Sequence, residues 1–409
     1  MDTTDVVSEE KPGQTTLPSQ ATGPLATDAD EFNSSFGESL DNALDLETWD
    51  RGENLANLYG RLEKEIATAV EQEDTTRERV RNIVFPRLRE HPNAPDCAGV
   101  FETNVTHIEK AHRGLLFTGQ VEACDGTSVP FDTLPITIVQ IGVCTVSYRG
   151  DQGSWVHRLY RRDLRVGGLD PVEETLRILE QRQQRSGYDN SSRRDKLSEL
   201  ARRGIMTFAE RSVLMNMSHS PWRMGHGNPA PYELLTGSGM KELLEKSLAL
   251  LKQLVQHKKF VFIPSSPGDR LALTIGNALR PLEYAILDTL EDSILRVADT
   301  GHYWPGMDKE VKAFGHDFGS HIVKGVFRAS ELAPAQMFYA HEEYAHEAAL
   351  IAMADSVLQD DRGFPMLIDL ADTLCRATFG RETFVGSTQT AYAAAGEPFR
   401  YLTERQTRR

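Results

Sequence analysis

The first candidate for a chemically active site in this sequence is a carboxylate that is followed by a glycine. Asp125 and Gly126 lie in the segment Cys124-Asp125-Gly126-Thr127-Ser128, which separates two apolar stretches. We expect Asp125 to end a buried strand and Gly126 to leave space for a ligand against the backbone. Carboxylates so placed bind divalent cations, and paired metal ions held by carboxylates hydrolyse phosphodiesters. An isolated Asp-Gly pair is commonly a simple turn, so such a site needs partners elsewhere in the chain.

Three other chemistries are disfavoured by spacing. His341 and His346 lie five positions apart, so they do not share one helix face as the two histidines of a zinc protease must. Residues 265–270 lack the Gly-Lys-Ser or Gly-Lys-Thr ending of a P-loop, which argues against an ATP site. No Gly-x-Ser-x-Gly turn follows a predicted strand, so a hydrolase or phosphatase of the α/β type built on Asp125 is the least favoured interpretation.

The elements around Asp125 follow from the alternation and length of the apolar runs. We predict strands over residues 114–124, 136–148 and 155–161. The second run is almost continuously apolar, which is typical of a strand buried on both faces. Because short polar connections join the three strands, they should form an antiparallel meander.

The rest of the chain alternates helices with short strands. Apolar spacing and capping residues predict helices at 170–185, 193–217, 241–257, 270–292 and from 344 and 366, and strands at 260–263, 322–328 and 336–341. A glycine- and proline-rich loop is predicted between 219 and 239. A meander that opens an α/β sheet is the layout of a ribonuclease H-like core with a mixed sheet and helical insertions, and this is the fold class that we predict.

The chain is predicted to have three parts. Residues 1–40 show almost no apolar periodicity and should be a disordered acidic tail. Residues 41–95 should form an N-terminal helical arm, because apolar residues recur at three- and four-residue spacing from Leu55 to Val70. This arm would pack on the α/β domain or on a second copy of the chain. Residues 96–409 should form the α/β domain itself.

Charge and cysteine usage restrict the compartment and the partners. The net charge is −15, and the first fifty residues hold twelve Asp and Glu against one Lys. The remaining chain is therefore only mildly acidic and leaves room for a local basic channel. The four cysteines form no Cys-x-x-Cys pair, no apolar run reaches the roughly 18 residues of a membrane helix, and the polar N-terminus predicts no signal peptide. We predict a cytoplasmic protein without a membrane partner.

Two motifs, taken in this order, resemble those of the NurA nuclease family. The first is Val121-Glu122-Ala123-Cys124-Asp125-Gly126-Thr127-Ser128, which with the apolar run at 136–148 is similar to the family's Asp-Gly-Ser-like turn between two apolar strands. The second is Gly363-Phe364-Pro365-Met366-Leu367-Ile368-Asp369-Leu370-Ala371-Asp372, which is similar to the Tyr-Pro pair that leads into the family's late helix. The resemblance covers the region from about 110 to 400 and would make residues 96–409 a NurA-like nuclease domain.

This resemblance implies an activity and partners. It implies a DNA nuclease that depends on Mn²⁺ or Mg²⁺. It also implies a homodimer that works with a HerA-like hexameric ATPase in DNA end processing or repair.

Carried over position by position, the resemblance implies a set of metal ligands. Asp125 takes the place of the first ligand, and Glu210 that of the family's helical glutamate. His226 stands where the family has a second aspartate, and Glu233 is a substitute just downstream. Histidine binds Mn²⁺ better than Mg²⁺, so His226 favours manganese.

The late motif implies two further catalytic residues beside Asp125 and Glu210. Phe364 stands where the family has a tyrosine, and Asp372 where it often has a histidine. These departures keep a second interpretation open. In it the chain is a catalytically weakened relative that binds DNA or the ATPase.

Two groups of side chains are candidates for DNA contacts. Trp222 and Arg223 lie in the predicted loop at 219–239, where they could stack on bases or hold phosphate. The same loop could instead be a rigid crossing between elements. Arg161 and Arg162 could follow the phosphate backbone, or could lie on an ordinary solvated strand face.

Overall fold

A computed structural model describes most of the chain. The described residues are 29–49, 55–92, 94–133, 136–150, 154–163, 170–183, 200–265, 268–301, 303 and 305–400. Their contacts divide the chain into two units, 1–73 and 74–409, and the division falls inside a long helix. The candidate site lies wholly in the second unit, and the predicted domain boundaries at 40 and 95 stay predictions.

Helices and strands alternate along the second unit. The helices, numbered through the described chain, are α1 Ala29–Phe36, α2 Leu40–Leu44, α3 Leu55–Ile83, α4 Val105–Ala111, α5 Pro171–Gln183, α6 Met206–Asn216, α7 Tyr232–Leu235, α8 Lys241–His257, α9 Arg270–Ala278, α10 Glu291–Thr300, α11 Met307–Asp317, α12 Ala345–Ser356, α13 Met366–Phe379 and α14 Arg381–Ala394. The strands are β1 Gly99–Glu102, β2 Val121–Thr133, β3 Ile136–Val146, β4 Ser154–Asp163, β5 Trp222–His226, β6 Phe260–Ile263, β7 Glu283–Thr289, β8 Ile322–Arg328 and β9 Gln336–His341.

All nine of these strands belong to one mixed sheet in the order β1-β7-β8-β9-β6-β5-β2-β3-β4. β2, β3 and β4 form the antiparallel meander that the sequence predicts. β5 then pairs parallel to β2 on its other side, and β6 pairs parallel to β5. A meander extended by two parallel strands beside its first strand is the arrangement of a ribonuclease H-like core, so the predicted fold class is confirmed.

The two faces of this sheet have separate apolar cores, because side chains alternate along each strand. On one face Cys124 and Phe262 pack with helix residues such as Leu251 of α8. On the other face Ala123 and Ile263 pack with helices that include α12 and α13. Successive residues of β2 therefore contact different helices. This alternation determines which helices pack next to Asp125.

Several elements match their predicted bounds and others do not. The helix at 241–257 and the strands at 260–263, 322–328 and 336–341 are confirmed. The predicted helix at 270–292 is wrong, because it contains both α9 and β7. The predicted strand at 114–124 starts only at Val121, after a π-helical segment at His112–Leu116. The loop at 219–239 contains β5 and α7.

The N-terminal predictions have a mixed outcome. The helical arm is confirmed by α3, whose apolar positions Leu58, Leu62 and Ile66 are exposed in the single chain. Residues 29–36 of the predicted disordered tail form α1 instead, and 1–28 lie outside the described residues. The ends of two predicted helices, at 184–185 and 193–199, also lie outside them. No helix in the described part of the chain is long and apolar enough to cross a membrane.

Candidate active site

Asp125 lies where β2 loses its parallel partner. β5 pairs with β2 only from Val121 to Cys124, whereas β3 pairs with β2 from Ala123 to Thr133. Asp125 is therefore inside a strand, and the predicted strand end and turn at Asp125-Gly126 are wrong. The reason is the long β3, which supplies backbone partners past the glycine. One edge of β2 is nevertheless open from Asp125 onward, and this opening gives the carboxylate, 5% exposed, room for a ligand.

His226 ends β5 and faces Asp125. Its Nδ1 lies 3.4 Å from Oδ1 of Asp125, which also accepts the Gly126 amide hydrogen at 2.8 Å. The hydrogen bond that His226 donates to Asp125 raises the pKa of His226, although burial opposes the charged ring. The Phe364 ring meets the imidazole edge to face, with 5.9 Å between ring centroids. Phe364 thus restricts the orientation of His226.

Glu210 approaches the same part of β2 from α6. A Cβ atom on Gly126 would lie only 2.5 Å from Oε1 of Glu210, so glycine is needed for this close approach. Burial raises the pKa of Glu210 to about 7, Arg211 opposes this shift, and the charge of Asp125 adds to it. The buried guanidinium of Arg211 forms an ion pair with the Glu210 carboxylate. Glu210 is therefore held in place, with one oxygen paired to a cation.

Asp372 reaches Asp125 from α13, which packs on β2 and β3. Burial raises the pKa of Asp372, and the negative charge of Asp125 raises it further. Arg376, one helical turn later, lies 3.3 Å from the Asp372 carboxylate and works in the opposite direction. The two carboxyls belong to segments almost 250 residues apart in the sequence, and only the fold makes them interact.

An open cavity of about 460 Å³ joins Asp125, His226 and Asp372, whereas Glu210 is not among its lining residues. It is lined by Asp125, His226, Ser265, Pro334, Gln336, Asp361, Arg362, Phe364, Ile368, Asp369 and Asp372. Four predicted site residues, Asp125, His226, Phe364 and Asp372, are thus brought together. Sequence reasoning missed Asp369 and Arg362. Asp369 precedes Asp372 by three positions on one helix, and this spacing would have placed both on the same face.

Other predicted residues are not in this cavity. Glu233 lies on α7, and the charges that shift the pKa of Glu210 and His226 come from other groups. Trp222 is 1% exposed in β5, so its predicted stacking on bases is wrong. Arg223 is also buried and donates to the carbonyl oxygen of Ser218, which contradicts its prediction as a DNA contact. Both errors follow from treating a buried strand as a surface loop.

Arg161 and Arg162 lie far along the edge strand β4. Cys144 of β3 pairs with Asp125 on one side and with Trp155 of β4 on the other, so Trp155 lies level with Asp125. Arg161 of β4 pairs instead with Ile138. Six residues at about 3.3 Å each separate the two levels by roughly 20 Å. A DNA contact at Arg161 and Arg162 stays a prediction, and it would be several nucleotides from Asp125.

The donor atoms near Asp125 suit a divalent cation. Carboxylate oxygens of Asp125, Glu210 and Asp372 accompany an imidazole nitrogen of His226, a set that Mn²⁺ accepts more readily than Mg²⁺. Burial and the charge of Asp125 raise the pKa of Glu210 and Asp372, although Arg211 and Arg376 oppose these shifts. Among the described residues, no three such side chains already converge as a metal cluster. The donors fit the ion chemically and would have to adjust around it.

Comparison with known proteins gives structural similarity alone. The crystal structure of the NurA nuclease from Sulfolobus solfataricus has 10% identity over 83% of this chain and 98% of that chain, with a TM-score of 0.43. A crystal structure of NurA with manganese has 9% identity over 78% and 97%, with a TM-score of 0.39. No family model matches, and no curated protein does. At these TM-scores, the fold assignment rests on the strand order and not on the superpositions.

Proposed function

We propose that this chain is a divalent-metal-dependent nuclease of the NurA-like group that hydrolyses phosphodiester bonds in DNA. One observation carries the proposal. Asp125, His226 and Asp372, taken from three distant segments of the sequence, line one cavity beside the open edge of β2. The resemblance of those motifs to the NurA family supports the choice of DNA as substrate.

The side chains have separate roles in this proposal. Asp125, Glu210 and His226 would hold the cation, which when bound supplies a Lewis acid and an activated water. Water oxygen forms a bond to phosphorus, and the bond from phosphorus to one sugar oxygen breaks. Asp372 is placed to pass a proton between water and the leaving oxygen. Phe364 can neither bind a metal nor transfer a proton, so its role is to orient His226.

The direct test is DNA cleavage with Mn²⁺ or Mg²⁺ by wild type and Asp125→Ala. Because loss of a metal ligand removes several kcal/mol of transition-state stabilisation, we expect a rate loss of about 1,000-fold or more. Arg113→Gln, which changes an exposed residue outside the cavity, is the control. Equal cleavage by wild type and Asp125→Ala would place the active site elsewhere.

One observation favours a second candidate function, a weakened nuclease that binds DNA or an ATPase. The Arg211 ion pair competes with a metal ion for the Glu210 carboxylate. In this case wild type would bind single- or double-stranded DNA in Ca²⁺ without cutting it in Mn²⁺ or Mg²⁺. Arg211→Met would then raise metal affinity, which isothermal titration with Mn²⁺ measures.

The partners belong to the same proposal. By resemblance, a HerA-like hexameric ATPase would deliver DNA ends for processing or repair, and the nuclease would act as a homodimer. The exposed apolar positions of α3, including Leu58 and Leu62, support association with a second copy. The four free thiols support a cytoplasmic location. Mass photometry of the chain, alone and with a HerA-like ATPase, would test both associations.

A further inference from the structure

The cavity beside Asp125 is lined by much more negative than positive charge. Its lining includes the carboxyls of Asp125, Asp361, Asp369 and Asp372 but one permanent cation, Arg362. A DNA phosphate is itself an anion, so it cannot enter such a cavity without positive charge on the wall. Bound metal would supply part of this charge, and Arg362 is the lining side chain that could supply the rest.

The backbone of Arg362 is held firmly at the cavity rim. Its carbonyl oxygen accepts a hydrogen bond from Gln336 of β9, at 3.4 Å. The next residue, Gly363, has a φ of +59°, and a Cβ there would lie 2.4 Å from Cβ of Ala333. The glycine therefore lets the turn pack tightly against the segment before β9. The backbone position of Arg362 is therefore fixed, although its side chain is half exposed.

The guanidinium of Arg362 has N–H donors that its contacts with neighbouring side chains do not use. Nη1 lies 2.9 Å from Oδ1 of Asp369 and 3.0 Å from Oε1 of Gln359. Among the described residues, none accepts a hydrogen bond from its Nε or Nη2, and the side chain is 53% exposed. A guanidinium presents a planar pair of N–H donors that matches two oxygens of a phosphate. The free edge can therefore bind an anion while Nη1 stays with Asp369.

We propose that Arg362 binds a backbone phosphate of the DNA strand that enters the cavity, next to the bond that is cut. This inference rests on the proposed nuclease function and names a substrate contact within that site. Arg362 positions the strand against Asp125 and His226, and Asp369 holds the guanidinium at the rim. The competing explanation is that the Arg362–Asp369 pair only fixes the turn before α13.

The experiment compares Arg362→Gln, Arg362→Lys and Arg113→Gln in the full chain. Arg113 is a matched control, since it is an exposed arginine paired with a carboxylate, Glu109, outside the cavity. Binding of a labelled single-stranded DNA is measured by fluorescence anisotropy in Ca²⁺ over a range of salt concentrations. Cleavage kinetics in Mn²⁺ and the melting temperature are measured on the same preparations.

We expect Arg362→Gln to weaken DNA binding about 10- to 100-fold and to reduce the salt slope by about 0.7, as for one lost phosphate contact. Arg362→Lys should be intermediate, because it keeps the charge and loses the paired donors. In cleavage, Arg362→Gln should raise KM more than it lowers kcat. Arg113→Gln should stay close to wild type, and the half-exposed Arg362 pair should change the melting temperature by no more than about 2 °C.

Two results would overturn the inference. One is that Arg362→Gln binds DNA as Arg113→Gln does, with the same salt slope. The other is that Asp369→Asn reproduces the loss seen in Arg362→Gln, since a released arginine should bind phosphate at least as well. If wild type binds DNA and does not cut it, the nuclease proposal fails while the binding data still decide on Arg362. If wild type does not bind DNA, both fail.

Discussion

Two groups of acids pack against this sheet, and their negative charge is compensated in different ways. On β7 and β8, Lys324 lies between two carboxylates, with Nζ 2.5 Å from Asp269 and 2.9 Å from Asp288. Beside β2, the acids Asp125 and Asp372 share a cavity with His226 and without a buried lysine or arginine in its lining. Lys324 contacts both carboxylates of the first group, whereas the second group has only the exposed Arg376 beside Asp372 and the imidazole of His226 beside Asp125.

The pKa directions reflect this contrast for Asp269 and Asp372, but not for Asp288. Burial disfavours the charged form of Asp269, but the hydrogen bond and charge of Lys324 outweigh it and lower its pKa. Asp288 is more deeply buried, and burial outweighs the same lysine and raises its pKa. For Asp372, burial and the charge of Asp125 act in the same direction and raise the pKa. We infer that the Lys324 group stabilises the fold, whereas the Asp125 group is built to receive a cation.

The largest expected effect is on the stability of the Lys324 group. Lys324→Met should lower the free energy of unfolding by about 3 kcal/mol, the lower end for a buried pair, because it leaves two partly exposed carboxylates without a counterion. Asp125→Asn should leave it unchanged or raise it, since it removes repulsion with Glu210 and Asp372. Urea unfolding of both variants measures the difference. If Lys324→Met unfolds as wild type does, the lysine is not the compensating charge.

Added metal should act only on the Asp125 group. At a concentration about 100 times Kd, Mn²⁺ should stabilise wild type by about 2.7 kcal/mol, because it binds the folded state. The melting temperature should rise by a few degrees, return on chelation, and stay constant in Asp125→Asn. Differential scanning fluorimetry with Mn²⁺ and Mg²⁺ measures this. A similar rise in Asp125→Asn would assign the metal to another site.

The glycine beside Asp125 provides a smaller, steric test. Gly126→Ala should displace Glu210, because the new Cβ would lie 2.5 Å from its Oε1. We expect a loss of about 1–3 kcal/mol in stability together with weaker Mn²⁺ binding. Gly386→Ala in α14 is a matched control, since nothing lies within 4 Å of its Cβ position and alanine favours helix. Unchanged metal affinity in Gly126→Ala would separate Glu210 from the metal site.

A third way to bury an acid has an effect on stability that depends on pH. Asp355 accepts hydrogen bonds from the Tyr148 hydroxyl at 2.5 Å and from the Leu367 amide at 2.8 Å. Burial raises the pKa of Asp355 to about 7, so the folded chain keeps a proton that the unfolded chain releases near its ordinary value. Its contribution to stability is therefore complete at low pH and is lost as pH rises through 7.

The free energy of unfolding should consequently fall between about pH 4 and 7, by at most about 1.4 kcal/mol per pH unit from this group. Asp355→Asn should flatten that slope, which urea unfolding at several pH values measures. A slope identical to that of wild type would show that Asp355 is ionised in the folded protein. In that case its charge would need a partner, as in the Lys324 group.

Local pattern was sufficient for elements with strong periodicity or clear ends. The helix at 241–257 has a regular apolar face, and the strand at 260–263 is a short apolar run ending at Pro264. The β7 segment was predicted as helix, because a short apolar run without period suits a buried strand or a buried helix equally. Its place between β1 and β8 depends on partners far away in the sequence.

The candidate site likewise contains some residues that the sequence could identify and some contacts that only the tertiary structure shows. Asp125, Phe364 and Asp372 could be chosen from the sequence because each lies in a motif that resembles the family's, and His226 could be chosen from its place in the family's order. The burial of Trp222, the ion pair between Glu210 and Arg211, and the place of Arg362 at the rim required the tertiary structure. Which charges meet, and which lack a counterion, depends on distances between segments hundreds of residues apart. Residue types and periodicity can be read along the chain, but electrostatic compensation is a property of the packed fold.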